Sequence, residues 1–321
     1  MSKALVIGCN GQDGSLLCSL LHQKGDTVFG IDRARGEQTQ SFVSFSALDI
    51  CDPLRVSDLL AQVSPDEVYY LAAYHHSAEQ RPPGEVVALS LQVNTQGLNH
   101  VLAAIAASPT PRARVFYAAS SRVFGDPAED VQDENTPMAP VCAYGISKAA
   151  GVHLCRYYRR EHGVYVSTGI LYNHESPLRA EHFVTRKIVR AAVRINSGLE
   201  RELVLGNLDA RVDWGWAPDY VEAMHAILRL GCPNDFVLAT GVLHSVREFV
   251  EIAFSTVGLN WREHVVERSG VVEARGAVKP LCGNASKLQA ATGWRPRMSF
   301  EEMVRTMVAS EEGQAWTAFG V

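Results

Sequence analysis

The sequence predicts an α/β protein, a doubly wound parallel sheet with helices on both faces and a smaller C-terminal α/β lobe. Three observations carry this prediction. Short β-rich runs alternate with helical stretches through the first half, the rhythm that crossover-connected parallel strands require. The first run leads straight into a glycine-rich turn that opens a helix. After Leu171 the rhythm breaks, as it would where a second lobe begins.

Taken in order, 4–7 is an apolar strand, 16–24 a helix and 28–31 a second strand. A helix at 56–63 precedes a strand at 67–71, one long helix spans 87–107, and 114–118 is again a strand. The helix at 143–161 and the strand at 164–171 complete the alternation. The stretch 173–181 is polar and loop-like, and 183–196 reads as an amphipathic helix. Short strands are expected at 202–205 and 236–239, and helices at 245–257 and 300–309. The expected division is a dinucleotide-binding domain over 1–172, to which 216–243 returns, and a substrate-binding lobe made of 173–215 and 244–321. No internal repeat or low-complexity segment interrupts the pattern.

Composition narrows the function. At 321 residues, 47% apolar and 20% charged, the chain suits a two-lobed enzyme with a sizeable core. A net charge of −5, with no long block of Lys or Arg, argues against nucleic-acid and membrane-surface roles. No apolar run approaches the roughly 18 residues of a membrane span. The first residues enter the strand pattern without a secretory leader, so a cytoplasmic location is expected. Cysteines at 9, 18, 51, 142, 155, 232 and 282 show no C-x-x-C spacing and read as reduced thiols, and no metal site is expected.

The glycine turn runs Gly8-Cys9-Asn10-Gly11-Gln12-Asp13-Gly14. Its first glycine permits the tight turn, the second lets backbone approach a pyrophosphate, and the third lets helix and strand pack closely. The helix N-terminus then offers N–H groups and a positive dipole end to the phosphates. Asp32 follows the second strand where a carboxylate can accept hydrogen bonds from the adenosine ribose, which favours NAD. Arg33 and Arg35 can instead hold a 2′-phosphate, which keeps NADP as the alternative.

Tyr144-Gly145-Ile146-Ser147-Lys148 places a phenol and an ammonium on one helical face. A neighbouring ammonium, with a cationic nicotinamide nearby, is expected to lower the tyrosine pKa, fitting the phenol to take a proton from a sugar hydroxyl. Ser120-Ser121 follow the strand upstream, and the order glycine turn, serine, tyrosine, lysine is specific as a set.

With Leu71-Ala72-Ala73 and Asn94-Thr95-x-Gly97 added, the chain resembles the extended short-chain dehydrogenase/reductase family over nearly its full length, which implies a Rossmann-type fold. The resemblance implies catalytic roles for Ser120, Tyr144 and Lys148. It places Asp49 and Ile50 by the adenine, and Leu71, Ala72 and Ala73 along the cofactor groove. Within that family the chain is most similar to GDP-mannose 4,6-dehydratases. The strings Gly11-Gln12-Asp13-Gly14-Ser15, Asn173-His174-Glu175-Ser176-Pro177 and Phe183-Val184-Thr185-Arg186-Lys187-Ile188 carry this. So do Leu205-Gly206-Asn207-Leu208-Asp209-Ala210, Asp213-Trp214-Gly215, Thr240-Gly241 and Ser245-Val246-Arg247-Glu248-Phe249. The similarity implies that Asn173, Arg186, Asn207 and Arg247 contact a nucleotide diphosphate. Ser121, Arg122, Glu175, Val184, Lys187, Arg211 and Arg275 complete the implied substrate-binding set. A GDP-sugar substrate follows.

The resemblance has gaps. Dehydratases of this kind carry a glutamate base where Arg122 stands, and an arginine cannot accept a proton at ordinary pH. Val212 replaces an arginine, and Ala277 stands near the place of a ribose-binding glutamate, with Arg275 close by. The stretch between Asp32 and Asp49 lacks the family's long arginine- and serine-rich loop, which favours NAD and a homodimer. Tyr74, His75 and His76 follow the cofactor groove and can furnish a substitute acid or base. The expected activity is a 4,6-dehydratase with a displaced base. The alternatives are a C4 epimerase or 4-keto reductase on the same scaffold, and a catalytically silent nucleotide-sugar binder.

Overall fold

The computed structural model describes residues 1–37, 39–75, 84–108, 113–268, 270 and 279–319. The first strands are β1 (Lys3–Ile7), β2 (Thr27–Asp32), β3 (Ser44–Ala47), β4 (Glu67–Tyr70), β5 (Arg114–Ser120) and β6 (Val166–Leu171). Then come β7 (Asn173–Glu175), β8 (Leu203–Leu205), β9 (Arg211–Trp216), β10 (Asp235–Leu238), β11 (Leu243–Ser245) and β12 (Val265–Glu267). The helices are α1 (Gln12–Gln23), α2 (Pro53–Val63), α3 (Gly84–Leu91), α4 (Gly97–Ala106) and α5 (Ala143–Glu161). They continue with α6 (Val184–Asn196), α7 (Ala217–Ile227), α8 (Val246–Thr256), α9 (Ser286–Thr292) and α10 (Phe300–Glu311).

Seven strands form one parallel sheet in the order β10-β6-β5-β4-β1-β2-β3, a Rossmann-type arrangement. Its middle strands are buried on both faces, so successive residues feed opposite cores. Tyr70 and Tyr117 join Leu98, Val101, Leu102, Val152 and Cys155 beneath α4 and α5. Their neighbours Tyr69 and Phe116 join Leu16, Leu17, Tyr220, Val221 and Met224 beneath α1 and α7. A third core in the smaller lobe packs α6, α8 and α10 through Ile188, Phe249, Phe254, Val304 and Met307, against Trp214 and Trp216.

Local signals set the element ends. Asp52 caps α2 by accepting from Leu54 and Arg55 N–H, with Pro53 in the first turn. Capping boxes open α8 (Ser245 with Glu248) and α10 (Ser299 with Glu302). All seven cysteines are free thiols.

Several expectations are corrected. The single long helix at 87–107 is α3 and α4 joined by a π-helical turn, Gln92–Gln96. That turn buries Asn94, whose amide bonds both backbone groups of Tyr74 and the Ser147 hydroxyl, a polar demand that hydrophobic period does not reveal. The segment expected as loop holds β7, which pairs with β9, while β11 lies antiparallel on β9's other side. Three-residue strands carry too few positions for a period to register. Residues 216–243 include α7, packed on α1, and β10, the sheet edge next to β6. α9 also lies on this side: Leu288 and Trp294 enter the α1/α7 core, although the sequence assigns 244–321 to the other lobe.

Candidate active site

The strand order reverses between β1 and β4, which opens a crevice at the carboxyl ends of the strands. Gly8 turns there with φ +90°, and a Cβ on it would lie 2.7 Å from the Ala72 nitrogen. A Cβ on Gly14 would lie 2.1 Å from the Gly8 carbonyl oxygen, so turn and helix meet backbone to backbone. Gly11 caps α1 without a side-chain hydrogen bond, which leaves first-turn N–H groups for an anion. Asn10 braces the adjoining loop, donating to Ala34 O (2.7 Å) and accepting from Thr39 Oγ1 (2.5 Å). The Asp32 carboxylate accepts from the N–H groups of Asn10 (3.3 Å) and Arg33 (2.8 Å) at the end of β2. Asp49 accepts from Cys51 N–H (2.9 Å), Ile50 is buried, and Leu71 N–H donates to Ile7 O. A glycine cradle, a bare helix N-terminus and a carboxylate at the second strand fit a dinucleotide.

Gln12 and Asp13 reach across to β7. Gln12 donates to His174 O (3.1 Å) and accepts from Ser176 Oγ (2.8 Å), and Asp13 Oδ2 meets His174 Nε2 at 2.9 Å. Burial opposes ionisation of Asp13, but the neighbouring His174 holds its carboxyl below the ordinary range. Asp13 in turn raises the His174 pKa against its own burial. His174 carries no signal in the sequence, because only the folded chain places it against the glycine turn.

Ser120 ends β5, and Tyr144 and Lys148 face it from successive turns of α5. Ser120 is close enough to the Tyr144 phenol to lower its proton affinity, and its Oγ accepts from Arg122 N–H (3.3 Å). Lys148 is buried, donates from Nζ to Ala118 O (2.7 Å) and lies 5.7 Å from the Tyr144 ring centre. Burial pushes Lys148 down to about 7. In the protein alone burial pushes Tyr144 up to about 12, against the Arg179 charge and the neighbouring Ser120 side chain, so the expected lowering rests on the nicotinamide charge. The lysine is itself disfavoured as a cation by the same burial, so it does little to offset that rise.

Two groups at this cluster escape a reading of the sequence alone. Arg179 lies 3.2 Å from buried Glu175 and stacks 3.5 Å over Phe183. Its position four residues after Glu175 in a polar segment is the only local signal. Phe183, the residue before α6, stacks on His75 at 5.4 Å. His75 itself meets the Tyr144 ring edge-on, centroids 4.4 Å apart at 89°.

The implied substrate residues divide. Asn173 is exposed at the start of β7, Ser121 is buried and Arg122 exposed beyond β5, and Val184 and Lys187 lie near the start of α6. Burial lowers the Lys187 pKa. Glu175 anchors the fold, accepting from Thr185 Oγ1 at 2.7 Å. Arg186 pairs through Nη2 with Glu311 of α10 at 2.9 Å, while its buried Nε has no hydrogen-bond partner among the described residues. Asn207, Arg211 and Arg247 form a separate group. Arg247 donates twice to Asp209 Oδ1 (3.0 and 2.9 Å), Asn207 accepts from Asp209 N–H (2.8 Å), and Arg211 donates to Leu243 O (3.2 Å). Arg275, Ala277 and His76 lie outside the described residues.

A family model described as GDP-mannose 4,6 dehydratase matches residues 5–307. The chain is similar to GDP-mannose 4,6 dehydratase 1 of Arabidopsis thaliana, with 39% identity over 95% of this chain and 88% of the relative. It is 37% identical to GDP-mannose 4,6 dehydratase 2 of Caenorhabditis elegans, over 96% of this chain and 88% of the relative. Among solved structures, UDP-glucose 4-epimerase of Thermus thermophilus in complex with NAD superposes with a TM-score of 0.84. That match has 23% identity over 98% of this chain and 100% of that one, and it shows the shared fold.

Proposed function

The chain belongs to the GDP-mannose 4,6-dehydratase family of extended short-chain dehydrogenases/reductases, and from that premise we infer that it is a lyase removing water from a GDP-mannose-type sugar. The observation that carries the reading is the convergence of Ser120, Tyr144 and Lys148 beside the glycine cradle. Ser120 holds the C4 hydroxyl, Tyr144 takes its proton, and Lys148 sits behind the phenol. A bound NAD(P) supplies the oxidising ring at C4 and a positive charge that favours the phenolate. The cofactor lobe is 1–172 with 216–243, joined by α9, and the Asn207–Arg211–Arg247 group in the second lobe receives the nucleotide diphosphate.

The purified protein with its cofactor, given GDP-mannose, is expected to yield a nucleotide sugar lighter by one water in mass spectrometry. An unchanged mass would favour the second reading, a C4 epimerase or 4-keto reductase. Arg122 is the observation behind that alternative, since it cannot act as a base.

NAD is the preferred cofactor because a 2′-phosphate would meet the Asp32 carboxylate. Replacing Asp32 with Asn should shift the NADP-to-NAD preference towards NADP by about tenfold, or ~1.4 kcal/mol. An unchanged ratio in paired titrations would remove Asp32 as the determinant. The proposed assembly is a homodimer through α3 and α5; their packing together with exposed Val87, Leu91, Ile146 and Tyr157 supports it. No described helix is long and apolar enough to cross a membrane. Cytoplasmic residence and a small-molecule rather than nucleic-acid partner complete the proposal.

A further inference from the structure

Loss of water across C5 and C6 of a 4-keto hexose needs a group that accepts the C5 proton, which the adjacent carbonyl acidifies. The described groups around Tyr144 can be weighed one at a time. Arg122 and Arg179 stay protonated at any ordinary pH. Glu175 is buried against Thr185 and Arg179, and Asp13 is committed to His174. Lys148 is turned to Ala118 O, and Ser120 accepts from Arg122 N–H. His75 is an exposed residue whose imidazole touches the Tyr144 ring edge-on and is backed by Phe183, a direct contact with the phenol ring that sets it apart from His182 and Tyr74.

We propose that His75 is the acid–base residue at C5 and C6 of the sugar. The inference rests on the dehydratase reading and names the group that makes it chemically complete. C5 is bonded to C4, whose hydroxyl Tyr144 serves, so a side chain in contact with the Tyr144 ring is within reach of the C5 proton. A neutral ring nitrogen of His75 takes that proton. The C–H electron pair becomes the C5–C6 double bond, the C6–O bond breaks, and the imidazolium returns its proton to the departing hydroxyl. One water leaves, His75 ends neutral, and the step needs no oxidant or reductant.

Desolvation by the surrounding protein, then the charges of Arg179, Arg122, His182 and Lys148, push the His75 pKa down to about 3, which keeps the ring neutral near pH 7 and makes its imidazolium a ready acid towards the departing hydroxyl, at the cost of basicity. His182 packs on Phe183, with centroids 4.4 Å apart.

The test uses the full-length protein with its cofactor and GDP-mannose in deuterium oxide. Three quantities are followed: reduction of the nicotinamide as the signal of C4 oxidation, deuterium entering C5, and water loss. His75→Asn should keep the oxidation burst within about threefold and lose C5 exchange and water loss by about 10²-fold or more. Adding Arg122→Glu to that variant should recover exchange, because it restores a carboxylate nearby, and His182→Asn alone should behave as wild type. Exchange and water loss within threefold of wild type in His75→Asn would overturn the proposal. So would equal loss of all three signals, which would make His75 a packing support for Tyr144. Should the wild type lose no water, the dehydratase reading fails by itself. C5 exchange then decides separately for His75: exchange lost in the variant sustains it, and no exchange in the wild type ends it.

Discussion

Tyr144→Phe is expected to lower turnover by about 10²- to 10⁴-fold while GDP-sugar affinity stays within a few fold. The ring is half-buried between Lys148 and His75, so phenylalanine keeps the packing and removes only the hydroxyl. Because burial pushes the phenol up to about 12, the variant also loses a group that holds its proton until positive charge is brought beside it. Wild-type turnover should therefore rise with pH as protons leave more readily, and the residual activity of Tyr144→Phe should be flatter. Turnover close to wild type would sink the C4 oxidation mechanism. Isothermal titration with GDP-mannose separates that outcome from a binding defect.

The second large effect is expected at Gly14. An added methyl would sit 2.1 Å from Gly8 O and 2.7 Å from Cys9 Cα, both backbone atoms that no rotamer change can move aside. Gly14→Ala should therefore force α1 away from the turn, at about 1–3 kcal/mol of stability. It should also weaken cofactor binding by at least about tenfold, since the displaced helix no longer presents its first-turn N–H groups. Gly11→Ala is the control: its Cβ would lie 3.5 Å from Gly8 O, an ordinary contact. That variant should melt like wild type. Equal melting temperatures for the two variants would show that helix packing at Gly14 is looser than the geometry requires.

Much of this is legible without the fold, and the reasons differ by residue. Gly8 and Gly14 announce themselves because backbone geometry and close approach admit no side chain there, a demand local to the turn. Tyr144 and Lys148 are legible because helical spacing alone puts them on one face. Three-residue strands such as β7 are not, since they are defined by partners far away in the chain. The π-helical turn at Asn94 is hidden for a similar reason: its cause is an amide satisfied by Tyr74 and Ser147.

By itself the sequence determined the parallel α/β architecture and the glycine turn, which follow from spacing and backbone preference within short segments. The resemblance, rather than spacing, put forward Ser120, Tyr144 and Lys148 for the proposed oxidation step. It also exposed the missing base at Arg122. Only the tertiary structure decided what stands beside Tyr144. Distant segments deliver His75, Phe183 and Arg179 to one cluster, Arg186 pairs with Glu311, and burial holds the proton on Tyr144 in the protein alone. Proton affinities and pairings of this kind depend on which segments exclude water from a group, and exclusion of water is a property of the packed molecule.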